Sequence, residues 1–197
     1  MARLGRRPDG GPDTRETILD AARDLFAAQG FDRTTIRAVA TRAEVDPALV
    51  HHYFGTKDQL LAASLELPMD PAAVLGDLAA HPDTAGEELV RRVLGLWEGD
   101  PEVRRRLEAL MRTGISHDHA AALLRDLFGR TILRVLRSLV VDDRPELRAA
   151  LAGSQVGGLI LGRYLVGVPA LADASVEDLV SAIGPVVQRY LTGPIGT

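Results

Sequence analysis

The chain has 197 residues, 46% of them hydrophobic, no cysteine and a formal net charge of −4. That length holds a small domain and a larger one, with enough apolar material for a core in each. The absence of cysteine excludes a disulfide framework and a thiolate metal site, and the acidic balance excludes a general positive field as a source of nucleic-acid affinity.

Residues 1–13 are rich in Gly, Pro and Arg and read as a flexible arm. Arg3, Arg6 and Arg7 precede the first acid, Asp9. Such an arm either enters a minor groove or serves as a solubilising tail. It has no apolar signal core, so a cytoplasmic protein is expected. Thr14 is placed to cap a first helix running to about Gln29, with Gly30 just past its end. Ile36, Val39, Ala40 and Ala43 then share one face at helical spacing. Asp46-Pro47 opens a further short helix, an N-cap acid followed by proline at the first helical position. That helix ends near Phe54-Gly55, and Thr56-Lys57-Asp58 opens another carrying Leu60, Leu61 and Leu65. Two short helices joined by a tight turn form a helix-turn-helix, whose second helix fits a DNA major groove.

Residues 1–60 hold nine basic and nine acidic side chains, so this part is neutral and the excess acid lies downstream. DNA affinity would therefore come from placed contacts. Asp46, Pro47, Ala48, His51 and His52 occupy the start and outer face of the second helix, where the histidines can donate to base edges, Asp46 can accept from a cytosine amine and Pro47 or Ala48 can touch a thymine methyl, whereas Val50 and Phe54 are expected to pack inward. The helix contains no Arg or Lys, leaving Arg37 and Arg42 on the preceding helix as candidates for a bidentate guanine contact. Thr34 or Thr35 offers a hydroxyl at a helix start, Tyr53 a phenol and Lys57 a charge, all suited to phosphates. His51, His52 and Lys57 are also compatible with plain surface positions.

This stretch resembles the DNA-binding domain of the tetracycline-repressor (TetR) family of bacterial regulators. The matching pieces are Thr34-Thr35-Ile36, Val39-Ala40, Val45-Asp46, His52-Tyr53-Phe54 and Lys57-Asp58-Gln59-Leu60. Upstream, Ile18, Ala22, Leu25, Phe26, Gly30 and Phe31 fit as well. The resemblance covers Thr14 to Leu65 and implies phosphate roles for Thr35, Tyr53 and Lys57. Glu44 stands at the turn position where the family often has glycine. A left-handed conformation there costs Glu on the order of 1 kcal/mol.

Pro68 and Pro71 mark a boundary, giving a DNA-binding domain over 14–67 and a helical domain over 68–197. Helical patterns cover roughly 71–80, 85–98, 101 onward, 117–140, 144–168 and 176 onward, with a capping box at Ser175 and a kink expected at Pro185. The expected architecture is all-α, with about nine or ten helices. The longest apolar run, Val156 to Val168, is too short to span a bilayer. Gly153, Gly157 and Gly158, together with Ile160, Leu161, Val180, Ile183 and Val187, either form a tight dimer interface or pack within one subunit. The resemblance implies that the last two helices of each subunit build a dimeric four-helix bundle, and that the larger domain holds a small-molecule effector. Trp97, Met111 and Phe128 either line that pocket or belong to plain core. His117 and His119 lack a convincing third ligand, and neither a metal nor another cofactor is expected.

No phosphate-cradling loop or nucleophile elbow is present, so catalysis is not expected. The function implied by the resemblance is a homodimeric repressor on a near-palindromic double-stranded operator. A small molecule would release it by favouring a spacing of the two reading heads that no longer matches the DNA. The rival readings are a regulator without an effector, and a helical enzyme or carrier with an incidental helix-turn-helix.

Overall fold

The computed structural model describes residues 12–116, 121–122, 125–126, 128–141 and 143–195. Among these residues all regular structure is helical. The chain divides into two compact units, Met1–Glu66 with Ala109–Leu123, and Leu67–Glu108 with Leu124–Thr197.

In the first unit α1 spans Pro12–Arg33, and Gly30 interrupts it with φ 82° and ψ 171°. Thr14 lies inside the helix and does not cap it, and Gly30 breaks the helix close to the expected place. The positive φ suits glycine because it lacks a Cβ. Helix α2 spans Ile36–Arg42, α3 Pro47–Phe54 and α4 Lys57–Ser64. Each begins at a side-chain cap. Thr35 accepts from the Ala38 amide, Asp46 from that of Ala48 and Thr56 from that of Gln59. The Gln59 side chain also accepts from the Thr56 amide at 2.9 Å, completing a capping box. Ile18, Leu19, Ala22, Phe26, Val39, Ala40, Val50, Leu60 and Leu61 form the core. Burying each of the larger aliphatic or aromatic side chains contributes about 1.5–3 kcal/mol. Arg23, 8% exposed, pairs with Glu16 and Asp20 at 2.8 Å and donates to the Ser64 carbonyl, tying α1 to the end of α4.

The second unit contains α5 (Pro71–Leu75), a 3₁₀ turn (Leu78–Ala80) and α6 (Ala85–Gly99). Helix α7 (Pro101–Ser116) begins here. A π-helical turn (Phe128–Ile132) leads into α8 (Leu133–Arg137). Helix α9 (Pro145–Ile160) continues as a π-helical segment (Leu161–Val166). Helices α10 (Pro169–Ala172) and α11 (Val176–Leu191) complete it. Helices α6 and α11 cross in close contact. A Cβ on Gly86 would lie 2.5 Å from the Gly184 carbonyl oxygen, and one on Gly184 would lie 2.8 Å from the Glu87 Cα. Gly86 and Gly184 therefore let α6 and α11 approach closely. By contrast, a Cβ on Gly157 or Gly158 would meet nothing within 4 Å. Gln188 secures the crossing by accepting from the Gly86 amide and donating to the Pro82 carbonyl, each at 2.8 Å.

Arg148, 3% exposed, donates to the Tyr190 and Gly193 carbonyls and pairs with Asp143, pinning the end of α11 to the start of α9. Helix α11 runs as one element through Pro185. Pro185 and Ser181 both lie on the exposed face, where water can satisfy the carbonyl that loses its amide partner. From Pro145 to Val166 the chain makes one helix of 22 residues, long and apolar enough by length and composition to cross a membrane. The run Val156–Val168 underestimated it because it left out the first turns. Its Arg148 is buried against α11, and it packs on α8 and α11 of the same chain.

Candidate DNA-binding surface

The turn between α2 and α3 is a Schellman motif. The Val45 amide donates to the Ala40 carbonyl at 3.0 Å, and the Glu44 amide to that of Thr41 at 3.3 Å. Such a motif requires a left-handed residue, and Glu44 supplies it with φ 56°. The sequence position that usually suits glycine thus keeps its conformation despite the larger residue. Val50 and Phe54 seat α3 on the core, 0% and 7% exposed, while Asp46, Pro47, Ala48, His51 and His52 are exposed. Leu49 is half-buried between the two faces.

The Asp46 carboxylate caps α3 through the Ala48 amide at 2.8 Å. The His51 Nδ1 lies 2.8 Å from the Gly55 carbonyl oxygen. His52 meets the Tyr53 ring edge-on, with centroids 5.5 Å apart. Tyr53 is half-buried. The Lys57 ammonium stands 4.1 Å from the centre of the Phe31 ring, a cation–π contact that positions it at the start of α4.

The two threonines ahead of α2 separate. Thr35 is exposed and caps α2. Thr34 is fully buried, donates to the Gly30 carbonyl at 2.7 Å and accepts from Gln29, so it is a lock on the α1 kink and not a phosphate ligand. Arg37 is exposed at the start of α2. Arg42 pairs with Asp24 at 2.7 Å, so a DNA contact would require exchanging that partner. Arg3, Arg6, Arg7, His117, His119 and the Phe128 side chain lie outside the described residues.

In the second unit Trp97 is buried and stacks on Tyr164, with centroids 4.9 Å apart. Met111, half-buried on α7, falls in the first unit. The Tyr164 hydroxyl donates to Glu98 at 2.7 Å, and burial first, then this bond, pushes Tyr164 up to about 12. Burial opposes the Glu98 charge, but hydrogen bonds from Tyr164 and Arg163 hold its carboxyl below the ordinary range. Three residues expected at a dimer interface, Ile160, Val180 and Val187, belong to the protomer's own core. Their apolar spacing could not distinguish the two environments. Gly153 faces Leu136 and Leu133 of α8. Gly158 and Leu161 are exposed, and Gly157 and Ile183 are half-buried. Leu147 and Val186, absent from the sequence-based set, are 46% and 38% exposed.

A capped helix-turn-helix with one core face and one exposed polar face is the architecture of a DNA-binding protein. Residues 18–64 match the family model of bacterial regulatory proteins of the tetR family, and residues 83–191 match that of the tetracyclin repressor-like C-terminal domain. The HTH-type transcriptional regulator BetI of Rhizobium meliloti is 31% identical over 182 residues, covering 87% of this chain and 89% of that protein. A TetR-family regulator from Streptomyces coelicolor has 34% identity and a TM-score of 0.65, over 95% of this chain and 99% of its own. The multidrug binding protein EbrR complexed with malachite green shares the fold at 18% identity and a TM-score of 0.63, over 93% and 100% of the two chains. This chain belongs to the TetR family, and it is a DNA-binding transcriptional regulator.

Proposed function

We propose that the protein is a repressor that binds a near-palindromic operator as a homodimer, in the bacterial cytoplasm, with one α3 helix in each of two major grooves. The single observation that carries this reading is the exposed face of α3, from Asp46 to His52, held up by buried Val50 and Phe54. Thr35, Tyr53 and Lys57 supply phosphate contacts around it, and Arg37 adds a positive charge at the start of α2.

A dimer has its own support. Leu147, Ala150, Ser154 and Gly158 of α9, with Leu161 just beyond it, form an exposed stripe at helical spacing. Ala182, Pro185 and Val186 form a second on α11. Small and apolar residues on two adjacent exposed helices suit a second copy of the same surfaces, and two-fold symmetry doubles the DNA site. The helical domain also takes a small-molecule effector in this reading, as the shared fold does in EbrR. That effector must bind the DNA-incompetent state more tightly, and DNA must weaken effector binding by the same factor. The reading assigns the chain no catalysis.

Replacing His51 and Tyr53 with alanine tests the assignment. Specific DNA binding should disappear while the circular dichroism spectrum and thermal midpoint stay close to those of the parent. Unchanged DNA binding would overturn it. A small-molecule screen by thermal shift tests the effector, since a ligand of the folded state raises the apparent midpoint.

A further inference from the structure

The outer face of α3 carries no arginine or lysine, so it lacks the groups that most often read guanine N7 and O6. What it presents instead follows from the hydrogen bond of His51. A carbonyl oxygen can only accept. The 2.8 Å contact between His51 Nδ1 and the Gly55 carbonyl therefore places a proton on Nδ1. In a neutral imidazole the other nitrogen, Nε2, is then a bare acceptor. The anchor is built into the backbone. Gly55 turns the chain out of α3 with φ 70°, and a Cβ there would lie 2.4 Å from Gln59 Oε1, the oxygen that completes the α4 capping box. Asp46, at the other end of the exposed face, is acceptor-only when ionised. Among the described residues no such bond fixes the tautomer of His52.

We infer that His51 is a specificity-determining residue whose Nε2 accepts a hydrogen bond from an exocyclic amine in the major groove, cytosine N4 or adenine N6. The inference rests on the DNA-reading role of α3 proposed above. An arginine at this position would seek the acceptors of guanine. His51 seeks the opposite partner, and the half-site should show a base step defined by where its amine lies. The Gly55 carbonyl makes this choice before DNA arrives, since rotating the ring to offer an N–H to the groove would break that bond.

The test has two parts, both at pH 8, above the ordinary imidazole range. First, nitrogen chemical shifts of the His51 ring in the free full-length protein report its tautomer. The expected form has the proton on Nδ1, and a proton on Nε2 would overturn the inference. Second, a duplex selected by the wild-type protein from random DNA is resynthesised with single groups deleted. Purine riboside replaces adenine, pyrimidin-2-one replaces cytosine, and 7-deazapurines remove N7. One amine deletion per half-site should weaken wild-type binding about fivefold to tenfold, the scale of one hydrogen bond. The same deletion should leave the binding of His51→Ala unchanged. If the deletion that loses its effect in His51→Ala is an N7 deletion, or none loses it, His51 does not read an amine. Enrichment of a sequence without a His51-dependent amine removes only this inference. Failure of the wild-type protein to enrich any sequence removes the DNA-reading assignment as well.

Discussion

Glu44→Gly should stabilise the protein, and the sign of the effect is diagnostic. Glu44 sits at the left-handed position of the Schellman turn with φ 56°. Holding an L-residue there costs roughly 1–2 kcal/mol. Glycine removes that strain, although its looser unfolded chain returns roughly 0.5–1 kcal/mol of the gain. Glu44→Ala keeps the strain and removes the same carboxylate, so it isolates conformation from charge. The glycine variant should exceed the alanine variant by roughly 0.5–1 kcal/mol. With a urea slope near 2 kcal/mol/M, that is roughly 0.3–0.5 M in midpoint. Thr41, exposed one turn earlier in right-handed α2, gives the control. There alanine should exceed glycine by about 1 kcal/mol. Equilibrium urea unfolding of the full chain provides the midpoints. Hydrogen exchange of the Val45 amide, which donates to the Ala40 carbonyl, reports the turn itself. If alanine proves more stable than glycine at position 44, the strained-turn argument is wrong. Both variants should bind DNA more tightly at low salt, and by similar factors, because both lose an acid beside the reading head.

Gly184→Ala should destabilise the second unit by about 1–3 kcal/mol, the usual range for forcing a methyl into packed structure. Its Cβ would sit 2.8 Å from the Glu87 Cα. Gly158→Ala, with nothing within 4 Å, should leave the thermal midpoint of the monomer unchanged or raised, and equal losses at both sites would refute the crossing. Glu98 has a depressed folded-state value, so its contribution is complete above the ordinary carboxylate range and is lost as pH falls through that lower value. Urea midpoints of Glu98→Gln should therefore fall less between pH 6 and pH 3 than those of the parent, whereas parallel curves would rule out this role. Leu147→Glu with Leu161→Glu should convert a dimer into folded monomers by light scattering, because both residues are exposed in the protomer. Persistence of the dimer would place the interface elsewhere.

Local chemistry made much of the first unit legible. Asp46-Pro47 and Thr56 announce helix starts, and both side chains cap as their types dictate. Gly30 and Gly55 announce the breaks, and both have positive φ. Two adjacent threonines look alike in a sequence, so the choice between Thr34 and Thr35 stayed open there, whereas in the fold Thr35 occupies the cap and Thr34 turns into the core. In the second unit helical periodicity identified α6, α9 and α11, but it could not say which apolar face meets which neighbour. Ile160, Val180 and Val187 are inside the protomer, whereas Leu147 and Val186 are outside. Those outcomes depend on how helices distant in sequence pair. Gly86 and Gly184 are 98 residues apart in number and acquire meaning only together at the crossing. The left-handed φ of 51° at Arg144 had no sequence signal at all.

In the proposed function two copies of α3 read DNA together. Its most direct test is selection of bound sequences from random duplex DNA by the purified full-length protein at near-physiological salt. The expected result is an enriched inverted repeat, with half-sites about one helical turn or a multiple of it apart. A folded protein that enriches no sequence, or only an unpaired half-site, would contradict it.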